Sequence, residues 1–186
     1  MPAAALLLIL SLNAHGETSC LARVSAQIMS LRASFPRLDG LNLVLEPFES
    51  GDDFFQARPR SFWRDPRDRI YAVRVNTKLC ADPPPPDAEK AILAHELAHL
   101  NAFALMSRRG LLSLGWRYVI EPGGKRVEDF EKAADREVVR LGLAEGLARY
   151  REWLYPRVST SVAARKRKLY LTPEELRRTE PRPATR

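Results

Sequence analysis

An α+β fold is the expectation for this chain, and three observations carry it. Two short strand-like runs stand upstream: 41–46 alternates apolar and polar residues, and 70–76 is rich in β-branched and aromatic residues. From residue 88 onward, apolar residues recur at helical spacing in several separate segments. The length of 186 residues and the 45% hydrophobic content suit one packed domain with a tail.

In chain order, residues 1–16 read as a secretory signal peptide. Their apolar stretch of about ten residues is too short to span a bilayer, and Ala14 and Gly16 offer small residues for cleavage. The stretch lacks Lys and Arg, and the competing reading is an N-terminal hydrophobic helix of a cytoplasmic domain. Export to a periplasm or the medium is the favoured expectation. Leu21, Val24, Ile28 and Leu31 then mark an amphipathic helix over 19–34, and 41–46 alternates like a strand. Residues 51–69 are polar, with Phe54, Phe55, Phe62 and Trp63 interspersed, and read as a long loop or lid. A second strand is expected at 70–76.

The run Pro83-Pro84-Pro85-Pro86 excludes helix and stiffens the link, and Asp87 follows as an N-cap for a helix over 88–104. Gly110 and Pro122-Gly123-Gly124 punctuate the connection to a further helix. That helix carries Val127, Phe130, Ala134, Val138 and Leu141 as a core-facing stripe. Another helix, over 143–154, presents Leu147, Tyr150, Trp153 and Leu154 before Pro156 stops it. A short helix around Glu174-Glu175-Leu176 follows Pro173, and residues 180–186 read as disordered. The expected organisation is therefore a folded domain at 17–156 and a basic, partly disordered segment at 157–186.

Cys20 and Cys80 are the only cysteines. They either pair, tying the first helix to the segment before residue 88, or remain reduced and buried. No CxxC spacing favours metal ligation. The net charge of +7 is concentrated near the end: residues 157–186 hold nine Lys/Arg against three acids. The run Arg165-Lys166-Arg167-Lys168 offers weak contact to an anionic polymer or membrane surface, while a solvated helix face is the commoner role of such runs. No specific nucleic-acid partner is expected.

The chemistry concentrates at His95-Glu96-Leu97-Ala98-His99. Residues four apart share a helix face, so both imidazoles can reach one metal ion while Glu96 addresses its open side. Glu96 is then placed to take a proton from a metal-activated water. Two histidines side by side on an apolar helix would be costly to bury without a shared partner. The third histidine, His15, falls in the segment expected to be removed, so the remaining ligand should be a carboxylate. Glu131 is the leading candidate because it interrupts an apolar stripe, with Asp129, Glu128 and Glu121 as fallbacks. Asp135, one turn on, is suited to accept the ring N–H of a ligand histidine. Ala133 and Ala134 would let the two helices approach closely.

His95-Glu96-Leu97-Ala98-His99 followed by Glu131-Lys132-Ala133-Ala134-Asp135 resembles the HExxH…ExxAD pattern of gluzincin metallopeptidases. The likeness is to the group of CAAX-prenyl endopeptidases and the membrane heat-shock protease, and to their soluble relatives, the minigluzincins. It covers about residues 70–145 and rests on the two helical motifs. The resemblance implies a zincin-like α+β domain with one Zn2+ held by His95, His99 and Glu131, Glu96 as general base, and Asp135 in support. It implies hydrolysis of a peptide or protein substrate, and, with chain order, it makes 71–76 the strand rimming the cleft. The chain departs from the membrane members in having no further hydrophobic span, which puts membrane-embedded or prenylated substrates in doubt. The developing oxyanion needs a donor besides the metal; Tyr118, Tyr150, Tyr155, Arg126 and Arg136 are the candidates.

Two rival readings come from other classes. One is a non-catalytic envelope or scaffold protein retaining a structural zinc, against which the open ligand position and Glu96 both argue. The other is a polyanion-binding module led by the basic C-terminal segment, which predicts salt-sensitive binding indifferent to chelators.

Overall fold

The computed structural model describes residues 7–8 and 15–179, with side chains from residue 19 onward. Of the expected signal peptide, residues 1–6 and 9–14 fall outside the described residues, and so does the tail 180–186. The chain is α+β. Strands β1 (Leu7–Leu8), β2 (Asn42–Phe48), β3 (Phe55–Arg60) and β4 (Ile70–Asn76) form one sheet in the order β1-β2-β4-β3. β2 and β4 run parallel, with Asn42 opposite Ile70, while β3 is antiparallel to β4, with Phe55 opposite Val75. Strand β4 is buried almost throughout, side chains of both its faces included, which accounts for its largely apolar sequence.

Strand β3 lies inside the segment expected to be a loop. Its alternation of Phe55, Ala57 and Pro59 with Gln56, Arg58 and Arg60 is a period-two pattern that satisfies an edge strand, where Pro59 withholds no ladder bond that the sheet needs. The rim of the sheet is therefore β3, and 71–76 is an inner strand. This corrects the expectation that 71–76 borders the cleft.

The helices are α1 (His15–Arg32), α2 (Pro86–Phe103), α3 (Arg108–Ile120), α4 (Lys125–Arg140), α5 (Ala144–Leu154), α6 (Thr160–Leu169) and α7 (Pro173–Thr179). Helix α2 is the central one: Ala88, Ala91, Leu93, Ala94, Leu97 and Leu100 have no exposed surface. It starts at Pro86 with Pro85 as N-cap, so Asp87 sits in the first turn instead of capping it. A proline at the first helical position loses no hydrogen bond, and this is why the fourth proline of the run belongs to the helix. At the other end the buried guanidinium of Arg69 donates to the carbonyls of Phe103 (3.3 Å) and Met106 (2.7 Å), satisfying acceptors the helix end leaves open.

Three devices fix the start of α2. Cys20 and Cys80 form a disulfide, joining α1 to the 3-10 turn before α2. The buried carboxylate of Glu89 accepts from Arg23 (2.5 Å) and Gln27 (2.7 Å) of α1. Gly146 of α5 lies against α2 so closely that a Cβ there would fall 2.6 Å from the Asp87 carbonyl oxygen. Close helix approach is thus made by Gly146, between α2 and α5.

Residues beyond 156 are more ordered than expected. Helix α6 buries Val162, Ala163, Lys166 and Leu169, and Leu176 of α7 is fully buried. Lys166 donates to Asp53 (2.8 Å), and the Arg167 guanidinium sits 4.4 Å above the Tyr155 ring. Of the basic run, Lys166 is therefore buried, while Arg167 stacks on Tyr155 at the surface.

Candidate metal centre

His95 and His99 lie one turn apart on α2, and both are almost fully buried. Their Nε2 atoms face each other at 3.0 Å. Glu131 of α4 points Oε2 between them, 2.9 Å from His99 Nε2 and 3.3 Å from His95 Nε2. Helix α4 achieves this because Val127, Ala134 and Val138 bury the stripe in which Glu131 sits. The result is a buried cluster of two histidines and one glutamate that could hold a metal ion.

The donor set passes a simple fit test. Three atoms bound to one tetrahedral zinc at about 2.0–2.1 Å should lie about 3.3 Å apart, and the distances here run from 2.9 to 3.3 Å. Without a shared cation, two ring nitrogens facing each other at 3.0 Å must divide a proton between them. The fallback carboxylates are elsewhere: Asp129 pairs with Lys125, Glu128 with Lys132, and Glu121 is exposed at the end of α3.

Asp135 occupies the position expected for it, fully buried. Its Oδ1 lies 2.8 Å from His95 Nδ1, close although off the ideal hydrogen-bond line, and accepts from Arg151 Nη2 at 2.9 Å. Its Oδ2 accepts from the Leu171 backbone N–H at 2.7 Å. Burial pushes the Asp135 carboxyl up, but the Arg151 charge and the His95 contact outweigh this and hold it below the usual range. Burial likewise disfavours charged His95, yet the contacts with Asp135 and Glu131 prevail and raise it to about 9. Glu131 shows the complementary effect: its burial is outweighed by the two histidines, and its carboxyl is held well below the usual range.

These groups open into a cleft of about 530 Å³. One wall is strand β3, from Phe55 to Pro59; another is apolar, formed by Phe103, Leu111, Leu114 and Phe130. Glu96 lines the cleft beside the histidines, and its burial raises its carboxyl pKa above the ordinary value. Phe130 stacks on the His99 ring (centroids 4.7 Å apart, planes at 22°), fixing its plane.

Of the expected oxyanion donors, only Tyr118 lines the cleft, where its hydroxyl donates to Glu131 Oε1 at 2.5 Å. Tyr150 is buried edge-on against Phe55, Tyr155 lies beneath Arg167, and Arg126 and Arg136 are exposed. Two site residues escaped the sequence reading. Tyr170 lines the cleft with its ring centroid 5.7 Å from that of His95, and Arg151 anchors Asp135. The signal for Arg151 was an arginine on the apolar face of α5 between Tyr150 and Trp153.

The metal-binding potential thus rests on geometry internal to this chain. Comparison with protein-family models, with curated proteins and with solved structures gives no match.

Proposed function

We propose that this protein is a zinc-dependent peptidase of gluzincin type, with His95, His99 and Glu131 as ligands. The observation that supports the reading best is the convergence of His95 Nε2, His99 Nε2 and Glu131 Oε2 at the wall of an open cleft, with Glu96 beside them. A bound zinc would supply Lewis-acid polarisation of the scissile carbonyl and acidify a water. Glu96 receives the proton of the attacking water at its carboxylate and passes it to the leaving amine. Burial of Glu96 suits both halves of that task, since it brings the carboxyl closer to neutrality. Asp135 keeps the His95 proton on Nδ1, leaving Nε2 free for the metal. Tyr170 brings a hydroxyl-bearing ring to the cleft as a candidate to donate to the oxyanion, and Tyr118 would join it on releasing its bond to Glu131 Oε1.

Strand β3 supports a peptide substrate over a compact small molecule. It is the edge of the sheet among the described residues, and residues 55–59 line the cleft, so an extended chain can pair with its free main-chain groups. The disulfide supports an exported protein, because such bonds persist in oxidising compartments. No helix among the described residues is long and apolar enough to cross a membrane.

The test is metal content by elemental analysis of the wild type beside Glu131→Gln, followed by peptide-library cleavage with Glu96→Gln as control. About one zinc per chain, lost in Glu131→Gln, and cleavage abolished in a zinc-loaded Glu96→Gln are expected. Absence of metal from the wild type after zinc is supplied would refute the proposal. Zinc without cleavage of any peptide would favour the scaffold rival.

A further inference from the structure

Helix α3 has two apolar faces, and only one of them is used. Leu111, Leu114 and Tyr118, spaced by three and four residues, face the cleft. On the other side Leu112, Trp116, Val119 and Ile120 recur at i, i+4, i+7 and i+8 and stand in solvent, Trp116 at 65% and Val119 at 74% exposure. Leu105, just before α3, is also exposed at 63%. Single exposed apolar residues are ordinary, but a continuous ridge of this kind marks a contact surface.

The ridge extends beyond the helix. Trp63 and Arg108 line one shallow surface hollow, so the turn after β3 adjoins the start of α3. That turn exposes Phe62 and Trp63, packed edge to face with centroids 5.3 Å apart. Both exposed tryptophans of the described chain therefore belong to this surface, Trp153 being buried.

Charge selects the occupant. Residues 104–126 hold five basic residues, Arg108, Arg109, Arg117, Lys125 and Arg126, against the single acid Glu121; Lys125 is paired with Asp129, so the four arginines carry the excess. Arg108 and Arg109 stand exposed at the head of the ridge, and Arg126 stands exposed beyond its foot. Asp65 and Asp68 share the hollow with Arg64 and Arg108, so the positive excess lies on the α3 side. An apolar helix face bearing tryptophan, flanked by arginine, fits the interfacial region of an anionic bilayer, where the rings enter the headgroup layer and the guanidinium groups meet phosphates.

We infer that the outer face of α3, with Phe62 and Trp63, docks the protein on an anionic membrane surface. Helix α3 then lies between bilayer and cleft: its outer face meets lipid while Leu111, Leu114 and Tyr118 wall the cleft beside the metal cluster. Chain segments emerging at a membrane surface are the substrates such a placement would favour. The docking surface stands apart from the peptidase reading, because its test needs neither metal nor activity.

The experiment is flotation of the full chain, with its disulfide intact, with phosphatidylcholine vesicles with or without phosphatidylglycerol, read also by tryptophan emission. Three proteins are compared: wild type, Trp116→Ser/Val119→Ser, and Arg108→Glu/Arg109→Glu. The wild type should float with the anionic vesicles and shift its emission to the blue. The ridge variant should lose about tenfold or more in partitioning, and the charge variant, which reverses two charges, at least about fivefold per arginine replaced. All substituted side chains are exposed, so matching circular dichroism is expected of the three proteins. Failure of the wild type to bind, equal binding by the ridge variant, or equal binding to vesicles of phosphatidylcholine alone would overturn the inference. So would a wild-type dimer in light scattering that the ridge variant breaks without any vesicle binding, since a second copy would then be the occupant.

Discussion

Asp135 Oδ1 lies 2.8 Å from His95 Nδ1, so a residue of α4 sets the ring orientation of a residue of α2. The same carboxylate holds the buried Arg151 of α5 and the backbone N–H of Leu171, and four chain segments meet on it. Asp135→Asn is expected to do two separable things. Zinc affinity should fall about 10- to 100-fold because the His95 tautomer is no longer enforced. The fold should lose about 3–5 kcal/mol because Arg151 becomes an uncompensated buried charge. Competitive chelator titration reads the first effect and guanidinium denaturation the second. Wild-type zinc affinity in a destabilised Asp135→Asn would leave Asp135 a purely structural role.

Metal binding should be linked to protons. In the metal-free protein His95 is raised from 6.5 to about 9, so at neutral pH it carries a proton that a metal must displace. Apparent zinc affinity is therefore expected to rise with pH, by up to about tenfold per unit, and to level off near pH 9. The sign for stability is opposite. A raised His95 stabilises the metal-free fold fully below pH 6.5, and that contribution is lost as pH climbs through about 9. Calorimetric titration in buffers of different ionisation enthalpy should show proton release at pH 7. A pH-independent affinity would mean that His95 is already neutral before metal arrives.

The cluster of His95, His99 and Glu131 was legible because it rests on local spacing. The pair His95 and His99 needs only a helix, and Glu131 betrayed itself as a charge within the stripe Val127, Ala134 and Val138. What escaped is what depends on tertiary neighbours. Strand β3 was masked by its arginines and Pro59, although its alternation was present. Helix α3 gave no polar–apolar contrast, since both faces are apolar, and Gly110 read as a break although it lies in the first turn, donating to Ser107 Oγ. Helix α6 was hidden by its basic run, although Val162, Lys166 and Leu169 already marked a buried stripe. The Cys20–Cys80 bond was one of two open readings, because a distance across 60 residues is not written in spacing.

That disulfide should act on stability far more than on the metal cluster. It closes a loop of 60 residues, for which the chain-entropy estimate is about 4 kcal/mol. Glu89 and its partners Arg23 and Gln27 still hold α1 against α2 once the bond is cut. Cys20→Ala/Cys80→Ala is therefore expected to bind zinc with near wild-type affinity at 25 °C and to unfold at clearly lower guanidinium concentration. Loss of zinc binding together with unchanged stability would reverse this assignment.

Gly146 is the sharpest steric constraint on the helix that carries both histidines. Helix propensity alone favours alanine over glycine by about 1 kcal/mol, and an α5 without neighbours would gain from Gly146→Ala. Here the new methyl would meet the Asp87 carbonyl oxygen at 2.6 Å and the Ala91 Cβ at 3.1 Å. The first of these is backbone and cannot swing aside, so α5 and α2 must separate. Overpacking of this kind costs about 1–3 kcal/mol, which outweighs the propensity gain at all but the low end. Gly146→Ala should therefore be destabilised in guanidinium titration. It should also bind zinc more weakly, because displacing α2 moves His95 and His99 relative to Glu131 on α4. Gly146→Ser should behave likewise, since the clash arises at Cβ. A stabilised Gly146→Ala would show that α5 and α2 are not in contact at that residue, and would remove the steric basis for holding the histidine helix in register with α4.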